Sequence, residues 1–236
     1  MLYIELPVPY TIRKLSFYLA MEEYVARNVQ AEDCFFMWQV APSVIFGRNQ
    51  QLESEVNVEY CRQHHIQLYR RKSGGGCVYA DESNVMLSYV TSGEQVDLAF
   101  HRFVSMMLLV FRKMGIEAAT TSHNDILIEG NKVCGTACYH LPGKSIVHST
   151  MLFDTNMEHM SHAITPNKEK LESKGIQSVR QRITLLKNYT SLGLEEVKML
   201  IKNTLCHDTM TLLANDVAEI ESIESNYLRE EFIHLL

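Results

Sequence analysis

Apolar residues at Ile12, Leu15, Tyr18, Leu19, Met21 and Val25 recur at intervals of three and four, which puts them on one face of a helix. They predict a helix over Ile12–Ala26, with Thr11 as its cap. The period then changes. FFMWQV (Phe35–Val40) and PSVIFGRNQ from Pro42 are rich in aromatic and β-branched residues and bounded by Pro and Gly, which predicts two strands. IQLYRR predicts a third, and CVYAD and NVMLSYV predict two more beyond a run of glycines. Leu98–Met114 is long and apolar enough for a helix. DILIEGNKVCGTACYH reads as a hairpin that turns at Glu129, Gly130 and Asn131, and SIVHSTMLFD as another strand. From Met157 onward the pattern is helical, most clearly in LGLEEVKMLIKNTL, where Leu194, Val197, Leu200, Ile201 and Leu205 share a face. Hairpin-built strands with helices before, between and after them predict an α+β fold around a mixed, mostly antiparallel sheet. No repeat, low-complexity tract or linker divides the chain, so one domain is expected over residues 1–236.

Composition narrows the function. With 46% hydrophobic residues the chain can bury a full-sized core. A formal net charge of −6 argues against a general binder of nucleic acid or membrane surfaces, because neutralising phosphates takes an excess of Lys and Arg. The start, MLYIELPVPYTIRKL, lacks the charged-then-apolar pattern of an export signal. The longest apolar run, MMLLVF at Met106–Phe111, is far shorter than the roughly 20 residues of a membrane span, so a soluble cytoplasmic protein is expected. Six cysteines stand without a CxxC pair and read as free thiols; Cys134 and Cys138 lie close enough to share a metal, but nothing nearby completes a zinc set.

The glycines concentrate the candidate chemistry. RRKSGGGCVYAD, Arg70–Asp81, places three of the chain's 11 glycines side by side after three cations. The run is not a P-loop, which needs Gly-Lys-Ser/Thr, nor a dinucleotide-binding turn, which needs spaced glycines opening a helix. Between two strands it marks either a tight hairpin or a place where a ligand or another backbone crosses the sheet. Arg70, Arg71 and Lys72 before it, and Lys132 in the glycine-bracketed EGNKVCGTA, favour an anionic phosphate ester.

RRKSGGGCVYADESNVMLSYV resembles the signature of the lipoate–protein ligase A family. LAMEEY, WQV with PSVIFGRNQ, NDILIEGNKVCGTA, HSTMLFD and TPNKEKLESKGIQSVRQRITLL agree with that family in order and spacing, over roughly Leu15–Leu205. The resemblance implies a fold like the catalytic domains of class II aminoacyl-tRNA synthetases and biotin–protein ligases. It also implies a two-step reaction, in which lipoate and Mg-ATP give lipoyl-adenylate and a lysine of a lipoyl acceptor domain then takes the lipoyl group. Acceptors in this reading are the acyltransferase subunits of 2-oxoacid dehydrogenases and the glycine cleavage H protein.

By motif position, Arg70, Ser73, Gly74, Gly75, Gly76, Cys77 and His148 are expected along the acyl chain and acyl-phosphate. Val78, Tyr79, Asn124 and Asp125 are expected at the nucleotide, Asp125 holding Mg²⁺ or orienting Lys132. Lys132 is the expected catalytic residue, on the phosphate and carbonyl oxygens. Ala80 and Ser149 depart from the family pattern, which has His and Gly there. Many family members carry a further small C-terminal domain, so a separate accessory protein is an expected partner. Two alternatives stay open: a lipoyl or octanoyl transferase fed by preformed adenylate or an acyl carrier, and a non-catalytic lipoate-binding module. The transferase of this superfamily uses a cysteine shortly before the NDI-like strand, and GIEAATTSHNDI has none. The segment Lys168–Lys187, six basic residues against two acidic, is a candidate surface for an acidic acceptor domain or for nucleotide phosphate.

Overall fold

The computed structural model describes residues 1–7, 13–93, 95–121, 125–165 and 183–234. Its larger sheet has eight strands. In chain order these are β1 (Leu2–Glu5), β2 (Asp33–Trp38), β6 (Val85–Ser92), β7 (Ala119–Thr120), β8 (Ile126–Ile128), β9 (Asn131–Leu141), β10 (Lys144–Met151) and β11 (Asp208–Thr211). They lie side by side as β11-β1-β2-β6-β10-β9-β8-β7, parallel across the first three and antiparallel from β2 onward. A second sheet holds β3 (Ser43–Phe46) at its centre, with β4 (Gln67–Arg70) parallel on one side and β5 (Val78–Ala80) antiparallel on the other. The expected α+β fold with a mixed, mostly antiparallel sheet is what forms.

Strand alternation divides the core. On β2, Phe35 packs with Val85, Leu87 and Val147 toward α4 (Val96–Lys113) and α6 (Leu194–Leu205), while Phe36 and Trp38 pack with Met86 and Val90 toward α1 (Leu15–Asn28). Helix α7 (Ala214–Tyr227) lies over the outer side of α1. Every residue from Leu15 to Ala26 is therefore buried, including Glu22 and Glu23. A third cluster, with Val44, Phe46 and Tyr79, joins the small sheet to α2 (Leu52–Glu55), α3 (Val58–Gln63) and α5 (Met157–Ala163); α8 (Glu230–His234) closes the described chain. No described helix is long and apolar enough to cross a membrane.

Three expectations need correction. The first helix runs from Leu15, with Lys14 at its N-cap; Thr11 and Ile12 lie outside the described residues. The region after Met157 is not wholly helical, because Asp208–Thr211 forms β11 against β1, a strand the hydrophobic pattern also left unassigned. All four β11 residues are exposed, so no apolar alternation marked it. Nor are the glycines a tight hairpin: β4 and β5 flank β3, and the loop between them must cross the end of β3. The hairpin between β8 and β9 does form, with Glu129 (φ 50°) and Gly130 (φ 81°) at its centre.

Candidate active site

The floor of the site follows from register. Trp38, Met86, Thr150 and Gly135 are successive cross-strand partners on β2, β6, β10 and β9; Phe36, Ser88, His148 and Ala137 form the next row on the same face. With strands about 4.8 Å apart, each row is roughly 14 Å long. Over this floor, Leu19 of α1, Ile45 of β3 and the loop from Gly75 to Val78 enclose a cavity of about 380 Å³. Its character changes along the row. Trp38 and Met86, with Leu19 and Ile45, make one end apolar; Thr150, Gly135, Lys132 and Asp125 make the other polar.

A β-bulge puts the lysine there. Ile126 pairs with Cys134 but Leu127 with Lys132, so Val133 is an extra residue on β9. Without it, strict alternation would leave Lys132 and Gly135 on opposite faces. With it, both line the cavity, and the lysine folds back across the glycine: a Cβ at Gly135 would lie 2.7 Å from Lys132 Nζ. Lys132 Nζ meets Asp125 Oδ1 at 2.8 Å, and the Lys132 carbonyl accepts from the Thr184 amide at 2.9 Å. The ammonium is thus aimed and fixed at one end of the slot.

The glycine loop is built around Arg71. Its Nη2 donates to the carbonyls of Gly74 (2.6 Å) and Gly76 (2.7 Å), its Nη1 to Ile45, and its Nε to Ser73 Oγ. Burial pushes this guanidinium down to about 10, which still leaves it charged at neutral pH. Each glycine has its own reason. Gly75 sits at φ +91°, a backbone side chains avoid, and its carbonyl occupies the space a Cβ at Gly47 would need, 2.3 Å away. Around Gly74 and Gly76 a Cβ would meet nothing within 4 Å, so there the missing side chains leave open space.

Beside the slot, on the same face of the sheet, lies a buried polar network. His148 Nε2 is 2.7 Å from Ser73 Oγ and its Nδ1 is 3.0 Å from Glu22 Oε2. Glu22 Oε1 also accepts from Ser88 Oγ (2.6 Å), which accepts from Trp38 Nε1 (2.9 Å). Glu23, one residue on, does something different: it binds the cations Lys72 and Arg27 and the hydroxyl of Tyr227 on α7.

Of the residues expected from sequence, Gly75, Gly76, Cys77, Val78, Asp125, Lys132 and His148 come together on the cavity wall. Ser73 stands just behind it, on His148, and Gly74 is exposed at the loop's edge. Arg70 is elsewhere. It is buried with its guanidinium on the carbonyls of Gly47, Arg48, Gln50 and Ile233, and over the ring of Phe46, while Arg71 takes the cavity-facing position. Tyr79 is buried in the small sheet's core, away from the cavity. Asn124 and the basic segment up to residue 182 lie outside the described residues. Sequence reading missed Gly135, Trp38, Met86 and Glu22, and took Arg71 only as one of three cations before the glycines; the signal for Glu22 was a Glu pair inside an otherwise apolar helix.

The thiols near the slot are poorly placed for nucleophilic work. Burial pushes Cys77 and Cys138 up to about 12 and Cys134 further still, so none is a thiolate at neutral pH.

This architecture recurs in known proteins. A lipoate protein ligase of Thermoplasma acidophilum, described as bi-partite and studied alongside its E2 lipoyl domain, aligns with a TM-score of 0.84 at 24% identity, over 99% of this chain and 95% of that one. A lipoate-protein ligase A bound with ATP aligns with a TM-score of 0.85 at 22% identity, over 100% and 99%. These two likenesses establish the fold. In sequence, the chain is 32% identical over 219 residues to lipoate–protein ligase 1 of Staphylococcus aureus, covering 89% of this chain and 67% of that protein. A 34% match to the ligase LplJ of Bacillus subtilis covers 72% and 52%, so the chain spans between about half and two thirds of these relatives. Residues 14–206, which contain the whole cavity, match the model of the lipoyl protein ligase A/B catalytic domain, and the chain belongs to that family.

Proposed function

We propose that the chain activates lipoate with ATP to lipoyl-adenylate and passes the lipoyl group to a lysine of lipoyl acceptor domains. Those domains are the ones of 2-oxoacid dehydrogenase acyltransferase subunits and the glycine cleavage H protein. The observation that carries this reading is the polarity gradient along one slot: an apolar end at Trp38 and Met86, and a fixed ammonium with a side-chain-free loop at the other. A lipoyl-adenylate has the same gradient, from dithiolane to mixed anhydride. Support comes also from the relatives, named as lipoate–protein ligases, one of them bound with ATP and one described together with its E2 lipoyl domain as a lipoylation system.

In the first step a lipoate carboxylate oxygen attacks the α-phosphorus and pyrophosphate leaves. In the second, the acceptor amine attacks the carbonyl carbon, AMP leaves and the amine loses a proton. Both steps build negative charge on oxygens at the polar end, where the Lys132 ammonium, held by Asp125, donates without having to reorganise. The glycine loop lets its backbone approach the anhydride. Mg²⁺ would enter with the nucleotide: among the described residues no group of three His, Cys, Asp or Glu could hold a metal. An ATP-borne ion needs only one or two carboxylates beside its phosphates, and Asp125 is the carboxylate on the described cavity wall. A cysteine thioester route is disfavoured by the raised thiols.

The test is the intact mass of an apo lipoyl domain incubated with the chain, lipoate and Mg-ATP, beside a reaction given preformed lipoyl-adenylate. A lipoyl mass gain in both supports activation and transfer. A gain with the adenylate alone assigns transfer to this chain and activation elsewhere, and no gain in either overturns the reading.

A further inference from the structure

Both nitrogens of His148 are engaged, and the partner of one decides the role of the other. A carboxylate can only accept, so with Glu22 on Nδ1 that nitrogen must carry the proton. In a neutral imidazole Nε2 is then an acceptor, and the Ser73 hydroxyl donates to it. The Ser73 oxygen is left to accept from Arg71 Nε, as it does at 2.9 Å. The same holds on the other side, where Trp38 Nε1 donates to Ser88 Oγ and Ser88 donates to Glu22. Two donor chains, Arg71→Ser73→His148 and Trp38→Ser88, converge on one carboxylate that is fully buried.

The two chains begin at the two ends of the slot. Trp38 is at the apolar end; Arg71 holds the carbonyls of Gly74 and Gly76 at the loop. Glu22 itself is not on the cavity wall. We propose that Glu22 is a positioning residue: by fixing the His148 tautomer it sets the donors of the Arg71–Ser73–His148 branch and so holds the glycine loop in the shape the acyl-phosphate needs. This rests on the lipoate-activating reading above. A glutamine at 22 has the same size but can present its NH₂ to Nδ1, which moves the His148 proton to Nε2. Ser73 would then receive two donors, from His148 and Arg71, and its own proton would lose its partner. Loss of the right tautomer on replacing the carboxylate by its amide has the same logic in the serine-protease triad.

The experiment has a readout independent of turnover. Nitrogen-15 NMR of histidine-labelled protein is expected to show His148 protonated at Nδ1 in the wild type and at Nε2 in Glu22→Gln. In lipoylation assays, Glu22→Gln is expected to lower kcat at least tenfold while the KM for lipoate stays within about twofold, because the acyl-facing wall is unchanged. The double variant Glu22→Gln/Ser73→Ala is expected to lose little more than Ser73→Ala alone, since both break one relay. Melting curves accompany each variant. His148 protonated at Nε2 in the wild type, an unmoved proton in Glu22→Gln, an unchanged kcat, or losses that multiply in the double variant would each overturn the proposal. If the wild type lipoylates nothing, the reaction reading fails, while the tautomer measurement still decides the relay.

Discussion

The two ends of the slot are made by different means. At the apolar end, Trp38 and Met86 stand at consecutive positions of one cross-strand row and owe their placement to regular alternation alone. Tyr18 stacks on Trp38, ring centroids 4.8 Å apart, and packs it in place. At the polar end three groups depend on an irregularity: Lys132 on the bulge at Val133, Arg71 on a crossing loop, Gly75 on a positive φ. Regular sheet is enough to make a greasy slot, whereas aiming charge into it takes departures from regularity, each with a cost the packing must cover. The comparison predicts that damage at the polar end appears in kcat and damage at the apolar end in KM.

The largest expected effect is at Lys132. Lys132→Ala should lower kcat for acceptor lipoylation by about 10³, the scale of removing a preorganised donor to a developing oxyanion, with a melting curve near wild type. Retained turnover would remove the lysine from the mechanism. Next is Gly75→Ala, where φ +91° and Arg71 Nη2 at 3.0 Å from the new Cβ make the loop pay about 1–2 kcal/mol, read as a lower melting temperature together with a drop in kcat. Met86→Ala works on the other end: the KM for lipoate should rise about tenfold, the scale of lost apolar contact in a pocket, with kcat within twofold. A fall in kcat instead would merge the two ends. The smallest effect is in pH. Burial raises Cys34, Cys61 and Cys206 from 9.0 to about 11 and Cys77 and Cys138 to about 12. Between pH 9 and 11 the unfolded chain therefore releases protons that the folded chain keeps, so stability falls as pH rises. Replacing Cys61, which is not on the cavity wall, by Ala should flatten that fall in chemical denaturation, and an identical slope would contradict it.

What could be read in the sequence follows the same division. The inner strands β2, β6, β8, β9 and β10, α4 and the α6 face were legible because burial on a face imposes a period, and the glycine loop and Lys132 because they stand in a motif. Arg70 and Arg71 could not be told apart: they are neighbours at the end of a strand, and only where β4 stops against β3 decides that Arg70 ends the strand and Arg71 begins the loop. Glu22 was hidden for another reason. Its helix is buried all round by the sheet and α7, and a Glu pair there reads in sequence as that helix's solvent face, although both carboxylates are buried. The pairing of β1 with β11 joins positions about two hundred residues apart, and no local pattern carries such a contact.

The measurement that bears most directly on the account is single-turnover transfer from preformed lipoyl-adenylate to an apo lipoyl domain by Gly135→Ala, followed by intact mass. The substitution keeps the lysine but puts a methyl where its ammonium lies, against the end of a flexible side chain that can move aside without unfolding the sheet. A transfer rate lower by about 10², with an unchanged melting temperature, is the predicted result, because the ammonium must act from that position. A wild-type rate would contradict the claim that the bulge-aimed lysine is what makes this end of the slot reactive.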